Sequence, residues 1–181
     1  MKRILWLMGV VLLSGVASYA GTDTNAQPVK VGVYDSRAVA FAYFTSSPYQ
    51  TGLKKQITTA QAARSSGDTN QFNALAASLR DTQDDMHRQV FSIAPATEAM
   101  AALKDRLPAI EKNAGVVDVI SKWDEAALQG YKNTEQVDVT DTLVHEFMAP
   151  TEKQWKTIES IKTAKPISLD ECNELIRKGQ L

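Results

Sequence analysis

The chain has 181 residues, with 20 basic against 21 acidic side chains, a net charge of −1 and a single cysteine. That balance leaves no electrostatic footprint for nucleic acid or an anionic lipid surface. One cysteine, Cys172, rules out an intrachain disulfide, so stability has to come from packing or assembly.

The first twenty residues, MKRILWLMGVVLLSGVASYA, place Lys2 and Arg3 ahead of an apolar run from Ile4 to Leu13, with Ser18 and Ala20 in the small-residue positions of a cleavage site. This is the pattern of an export signal over 1–20, and it points to the periplasm or another exported location. The run is short for a span of about 20 residues, and no later stretch is long enough, so no stable membrane span is expected after cleavage. Residues 21–28, GTDTNAQP, are polar and aperiodic and read as a flexible lead-in.

From residue 29, VKVGVYD alternates, with Val29, Val31 and Val33 on one side, as in a half-buried strand. Asp35 or Ser36 can cap the helix that follows, and RAVAFAYF is apolar at nearly every position, which suits a core or an interface. A second helix starts near Pro48 and carries Leu53, Ile57, Ala60 and Ala63 at helical spacing; SSGD at 65–68 is a turn.

Beyond the turn, Phe72, Leu79, Met86, Ile93, Met100 and Leu107 recur every seven residues, with Leu75, Ala96, Leu103 and Ile110 three positions after members of that series. A seven-residue apolar period is a coiled-coil seam, and it predicts one helix over 69–112 with a kink at Pro95. At about 1.5 Å per residue this arm outruns its partner and has to bend back, and NAG at 113–115 ends it. VVDVI at 116–120 is the second strand, and pairing it with the first closes the base of the hairpin.

A polar stretch then carries Trp123, Tyr131 and Asn133. In VDVTDTLVHEF, Thr140 reads as the N-cap of a helix with Leu143, Val144 and Phe147. Past Pro150 come two amphipathic helices, one around Trp155, Ile158 and Ile161, the other opened by the Ser168–Glu171 capping box and burying Cys172.

The order of these parts, with the blocks KVGVYDSRAVAFAY, GVVDVI and VDVTDTLVHEF, resembles the Skp (OmpH) family of periplasmic chaperones over residues 29–148. The resemblance implies a mainly α fold with a small β base, in which a helical hairpin, a coiled-coil arm at about 48–93, is joined to short strands. A helical C-terminal extension at 149–181 lies outside the match. It also implies a homo-oligomer, a trimer in that family, with the strands assembling the base and the arms holding unfolded outer-membrane or other envelope proteins. On that basis Phe72, Leu79 and Met86 are the expected client-binding residues, and Val31, Val33, Val117 and Val119 the expected oligomer interface. The same fold kept as a structural or interaction scaffold is the alternative.

No nucleophile elbow, HExxH, phosphate-binding glycine loop or CxxC occurs, so no enzyme, cofactor or catalytic residue is expected. Asp84 with His87, and Asp141 with His145, share helical faces, but a metal needs a third ligand, and solvated pairs are the simpler reading. Trp123, Trp155, Tyr131 and the group Phe41, Tyr43 and Phe44 could line a ligand surface, though helix-spaced aromatics more often pack cores.

Overall fold

The computed structural model describes residues 29–181, so the export signal and the lead-in lie outside the described residues. These residues are mainly helical, 67% helix against 9% strand, around a small three-stranded sheet. No helix among them is long and apolar enough to cross a membrane.

Strand β1 (Lys30–Tyr34) runs straight into helix α1 (Ser36–Thr45), and the carboxylate of Asp35 accepts the Arg37 N–H at the junction. Seven of the ten residues of α1 are buried. Its apolar circumference is covered within the chain by α3 (Thr69–Phe91), α7 (Thr140–Phe147) and α8 (Glu152–Thr163), with Ile158 of α8 packed in one cluster with Ala38, Ala42 and Val144. The residues beyond Pro150 thus supply part of the cover that α1 needs.

Two helices, α2 (Ser47–Ser65) and α3 (Thr69–Phe91), form an antiparallel hairpin. At its turn Gly67 takes φ 78°, and Asp68 caps α3 by accepting the Gln71 N–H. Ala60 and Ala63 are the only buried residues of α2, and Gln89 the only one of α3. A third surface meets the hairpin at its root, where α3 packs against α1 and Arg88 Nε donates to Asn173 at 2.8 Å.

The single bent helix expected over 69–112 is in fact three. Helix α3 stops at Phe91, residues 92–96 are not helical, and α4 (Thr97–Leu103) and α5 (Leu107–Ala114) follow. Pro95 cannot donate a helical bond, and the groups around it find partners elsewhere. The Phe91 carbonyl accepts the Ile167 N–H, the Ala94 carbonyl accepts the Ser36 hydroxyl, and the Ala94 N–H donates to the Ser92 hydroxyl. After the break, burial shifts from the seven-residue series to Ala96, Leu103 and Ile110, while Ile93 is exposed. Gly115 at φ 66° ends α5, a left-handed cap that favours glycine.

Strand β2 (Val119–Ser121) pairs with β1 and so closes the base of the hairpin; the pair is parallel, with Gly32 opposite Val119 and Tyr34 opposite Ser121. The pairing has moved later than the VVDVI pattern suggests: Val116 is buried and Val117 exposed, its N–H donating to the Lys30 carbonyl. At Gly32 the strands approach closely: a β-carbon there would lie 3.2 Å from the Asp118 carbonyl oxygen and 3.3 Å from the Val116 and Val119 methyls, so a larger residue needs its neighbours to give by a few tenths of an ångström.

The expected two-strand base has a third member. After α6 (Glu125–Leu128) and a short 3-10 turn (Gln129–Tyr131), strand β3 (Glu135–Asp138) pairs parallel with the other side of β1, giving the order β2-β1-β3. Its sequence, EQVD, lacks an apolar run because it is an exposed edge on which only Val137 turns toward the core. Thr140 is not an N-cap as expected; it is the first residue of α7, and its hydroxyl accepts the Asp35 N–H at 3.0 Å. One cluster, built from Tyr34, Val39, Phe44, Leu103, Ile110 and Leu143, joins the sheet to α1, α4, α5 and α7.

Candidate functional site at the carboxyl edge of the sheet

Open parallel sheets bind ligands beyond the carboxyl ends of their strands. Here that edge brings together Asp35 after β1, Lys122 after β2 and Thr140 after β3. Asp35 is 1% exposed. Its Oδ1 accepts the Arg37 N–H at 3.0 Å, Arg37 Nε at 3.1 Å and the Trp123 indole N–H at 3.3 Å. Its Oδ2 accepts Arg37 Nη2 at 2.9 Å and Lys122 Nζ at 2.8 Å. The Arg37 guanidinium, 3% exposed, also donates to the Ala164 carbonyl and lies over the Trp123 ring at 5.0 Å, with Lys122 over the same ring at 4.7 Å.

Burial by itself would raise the Asp35 carboxyl, but the hydrogen bonds and charges of Arg37 and Lys122 outweigh it and hold the group below the ordinary carboxylate range. A carboxylate whose two oxygens are filled by internal donors is a poor base or nucleophile. What it does is tie the start of α1 to Lys122 and Trp123 after β2 and, through Arg37, to Ala164 after α8, while the Asp35 N–H bonds Thr140 after β3. The same edge gives a phosphate little purchase, because carboxylates already occupy the helix starts there. Asp35 caps α1, Asp124 caps α6 by accepting the Ala127 N–H, and Asp138 accepts the Thr140 N–H at the start of α7.

Beside this cluster lies a cleft of about 480 Å³ between β2, the start of α6 and the 92–96 segment. Its walls are Ile93, Pro95, Val119 and Ile120, and Trp123, Asp124 and Glu125 also line it. Tyr34 reaches it from the core, 5% exposed, its hydroxyl pushed up to about 12 by burial first and by the Asp124 charge second.

The expected client-binding residues lie elsewhere, on α3. Phe72 and Leu79 are half-buried in the hairpin, with the Arg64 guanidinium 5.7 Å from the centre of the Phe72 ring, whereas Met86 packs against the main core cluster. At the hairpin root, Phe44, Tyr49, Leu53, Asp85 and Glu98 enclose a second cavity of about 320 Å³. Of the four valines expected at an oligomer interface, Val31 is wholly buried inside the chain and has no surface to offer another copy. Val33 and Val119 are half-buried, and Val117 is 56% exposed.

Among the described residues no group of three or more His, Cys, Asp or Glu side chains could hold a metal. Asp141 pairs with Lys162 at 3.0 Å, His145 meets Trp155 edge to face, and His87 leans on Phe91. Cys172 is fully buried, as its helical face suggests, and burial pushes its thiol up. Sequence reading missed the Asp35–Arg37–Lys122 cluster, taking Asp35 only as a cap. The available signal was charge placed immediately after each apolar strand: DSR after VKVGVY and K after VVDVIS.

Comparison with protein-family models, with curated proteins and with solved structures finds no match to this chain.

Proposed function

We propose that the chain is an exported, non-enzymatic holdase of Skp-like build that binds unfolded outer-membrane or other envelope proteins as a homo-oligomer. The observation that carries this reading is the placement of the α2–α3 hairpin between two strands that are hydrogen-bonded neighbours, so that the arm grows from a closed base. The hairpin buries little of itself, which leaves Ile57 exposed and Phe72, Leu75 and Leu79 half-covered for contact with apolar client segments. The internally satisfied carboxylate at the carboxyl edge supports a fastening role for that cluster. Both outer strands are short, so side chains such as Val117 and Val33, more than a long backbone edge, are the means of assembly.

The test is dilution of a denatured outer-membrane β-barrel protein into buffer with and without the purified chain, followed by light scattering. Aggregation should slow, and Phe72→Ser or Leu79→Ser should weaken the effect without changing the mass seen in native mass spectrometry. On the arms, Lys54, Lys55, Arg64, Arg80 and Arg88 are offset by Asp68, Asp81, Asp84 and Asp85, so protection should change little from low to moderate salt. A chain that assembles but leaves client aggregation untouched is a scaffold, and a monomer at micromolar concentration removes the oligomeric reading.

A further inference from the structure

Helix α9 (Leu169–Arg177) is only lightly attached to the rest of the fold. It packs on α3 and fully buries one residue, Cys172. Neither apolar cluster of the core contains any of its residues, and Leu169 at its start is 40% exposed. Toward α8 it leaves space. An open cleft of about 390 Å³ is lined by Ile161 and Ala164 on one side, Leu175 and Leu181 on the other, and Val90 and Phe91 of α3.

The hydrogen bonds divide in the same way. The chain leaving α8 is fixed at Ala164, whose carbonyl accepts Arg37 Nη1 at 2.9 Å. Beyond that point, among the described residues, two bonds tie the segment to α3. The Ile167 N–H donates to the Phe91 carbonyl at 3.2 Å, and Asn173 Oδ1 accepts Arg88 Nε at 2.8 Å. The other bonds of the segment are internal. Ser168 caps α9 by accepting the Glu171 N–H, the Gly179 and Gln180 N–H groups turn back to the Ile176 and Leu175 carbonyls, and Arg177 and Lys178 pair with Glu174. Lifting α9 therefore breaks two bonds whose groups water can reach once the helix has left, and it strands no polar group in the core.

We infer that residues 165–181 form a detachable strap, which lifts from α3 as one unit about Lys165 and Pro166 while the sheet, the hairpin and α8 stay folded. An element with few buried apolar contacts opens at a free energy below that of global unfolding. Lifting uncovers Val90 and Phe91 at the root of the arm, together with Cys172 and Leu175 on the strap, an apolar surface that the closed form withholds. The use of that surface by clients rests on the holdase reading; the opening does not.

Cys172 is the one cysteine of the chain and lies under the strap, so it reports the opening directly. The purified wild-type chain is mixed with excess of the thiol reagent DTNB, and the rate is scaled by that of the chain unfolded in urea. Labelling should be first order in reagent and at least about a hundredfold faster than the unfolded fraction extrapolated from urea unfolding allows. It should be nearly independent of urea below the transition, because lifting the strap exposes little surface. Asn173→Ala removes one tie and should speed labelling about threefold to tenfold, the worth of one hydrogen bond. Gly115→Ala lowers global stability away from the strap and should leave the rate within about twofold, whereas labelling through global unfolding would rise about fivefold to thirtyfold. The Leu175 and Ile176 amides should exchange at the same opening fraction as Cys172, which separates lifting of the helix from motion of the thiol alone.

Labelling that follows global unfolding in urea or rises with Gly115→Ala would overturn the strap, as would a wild-type rate in Asn173→Ala. So would α9 amides protected as strongly as those of α1 while Cys172 reacts. A denatured, cysteine-free outer-membrane protein should raise the labelling rate by drawing on the open form. An unchanged rate, in a chain that passes the other tests and slows client aggregation, would remove the client role of the uncovered surface and leave the strap and the holdase reading standing. A chain that passes the strap tests but protects no client removes the holdase reading alone.

Discussion

Replacing Asp35 with alanine takes the acceptor away from a guanidinium that is 3% exposed and leaves it one internal bond, to the Ala164 carbonyl. Breaking a buried pair by removing one partner costs about 3–5 kcal/mol, and the lost N-cap, about 1 kcal/mol by itself, lies within that figure because the same carboxylate supplies both. Lys122 is a third exposed, so Lys122→Ala should cost no more than about 1 kcal/mol. A domain of this size has about 5–15 kcal/mol in all, so Asp35→Ala should remove a large share. With an m-value of about 2 kcal/mol per molar, the urea midpoint should fall by roughly 1.5–2.5 M, read by far-ultraviolet circular dichroism.

A cycle of Asp35→Ala, Arg37→Ala and the double variant should show a coupling of about 2–3 kcal/mol, because the second change costs little once the first charge is stranded. The pH dependence follows from the depressed Asp35 carboxyl. Its stabilisation is present above the unfolded value of about 3.9 and is lost as pH falls through the lower folded value, so wild type should lose this contribution in acid while Asp35→Asn has none to lose. An Asp35→Ala chain within about 1 kcal/mol of wild type, or an additive cycle, would refute the fastening role.

Thr140→Val leaves the buried Asp35 N–H without its acceptor and should cost about 1–3 kcal/mol, with Thr140→Ser keeping most of the stability in the same urea assay. For Tyr34 the folded value of about 12 lies above the unfolded value near 10, so its contribution is present below pH 10 and lost between about 10 and 12. Wild type should lose up to about 2.7 kcal/mol relative to Tyr34→Phe over that window in alkaline unfolding, and parallel curves would contradict the burial argument. Gly115→Ala, at φ 66° with open space around it, should lower stability by about 1–2 kcal/mol in thermal unfolding, purely through backbone conformation. Pro95→Ala should change stability by no more than about 1 kcal/mol, since Pro95 sits outside any helix; recovery of the 3 kcal/mol expected for a proline inside a helix would mean that α3 continues through it.

Local pattern alone determined β1, α1, the hairpin turn, α7, α8 and the last helix, α9 (Leu169–Arg177), within a few residues. Each of these rests on interactions a few positions apart: alternation in VKVGVY, the Asp68 and Ser168 caps, and the face shared by Leu169 and Cys172. The heptad series misled beyond Phe91, because periodicity records which residues are apolar and cannot show that the Phe91 carbonyl will be taken by Ile167. Strand β3 was hidden for the complementary reason: an edge strand in contact with water has no need of apolar residues, and EQVD becomes a strand only because β1 offers it a free edge. The Asp35 cluster required the tertiary structure altogether. Arg37 is two residues from Asp35, but Lys122, Trp123 and Thr140 come from the ends of other strands, and only the order β2-β1-β3 brings Lys122 and Trp123 to its carboxylate and the Thr140 hydroxyl to its backbone N–H.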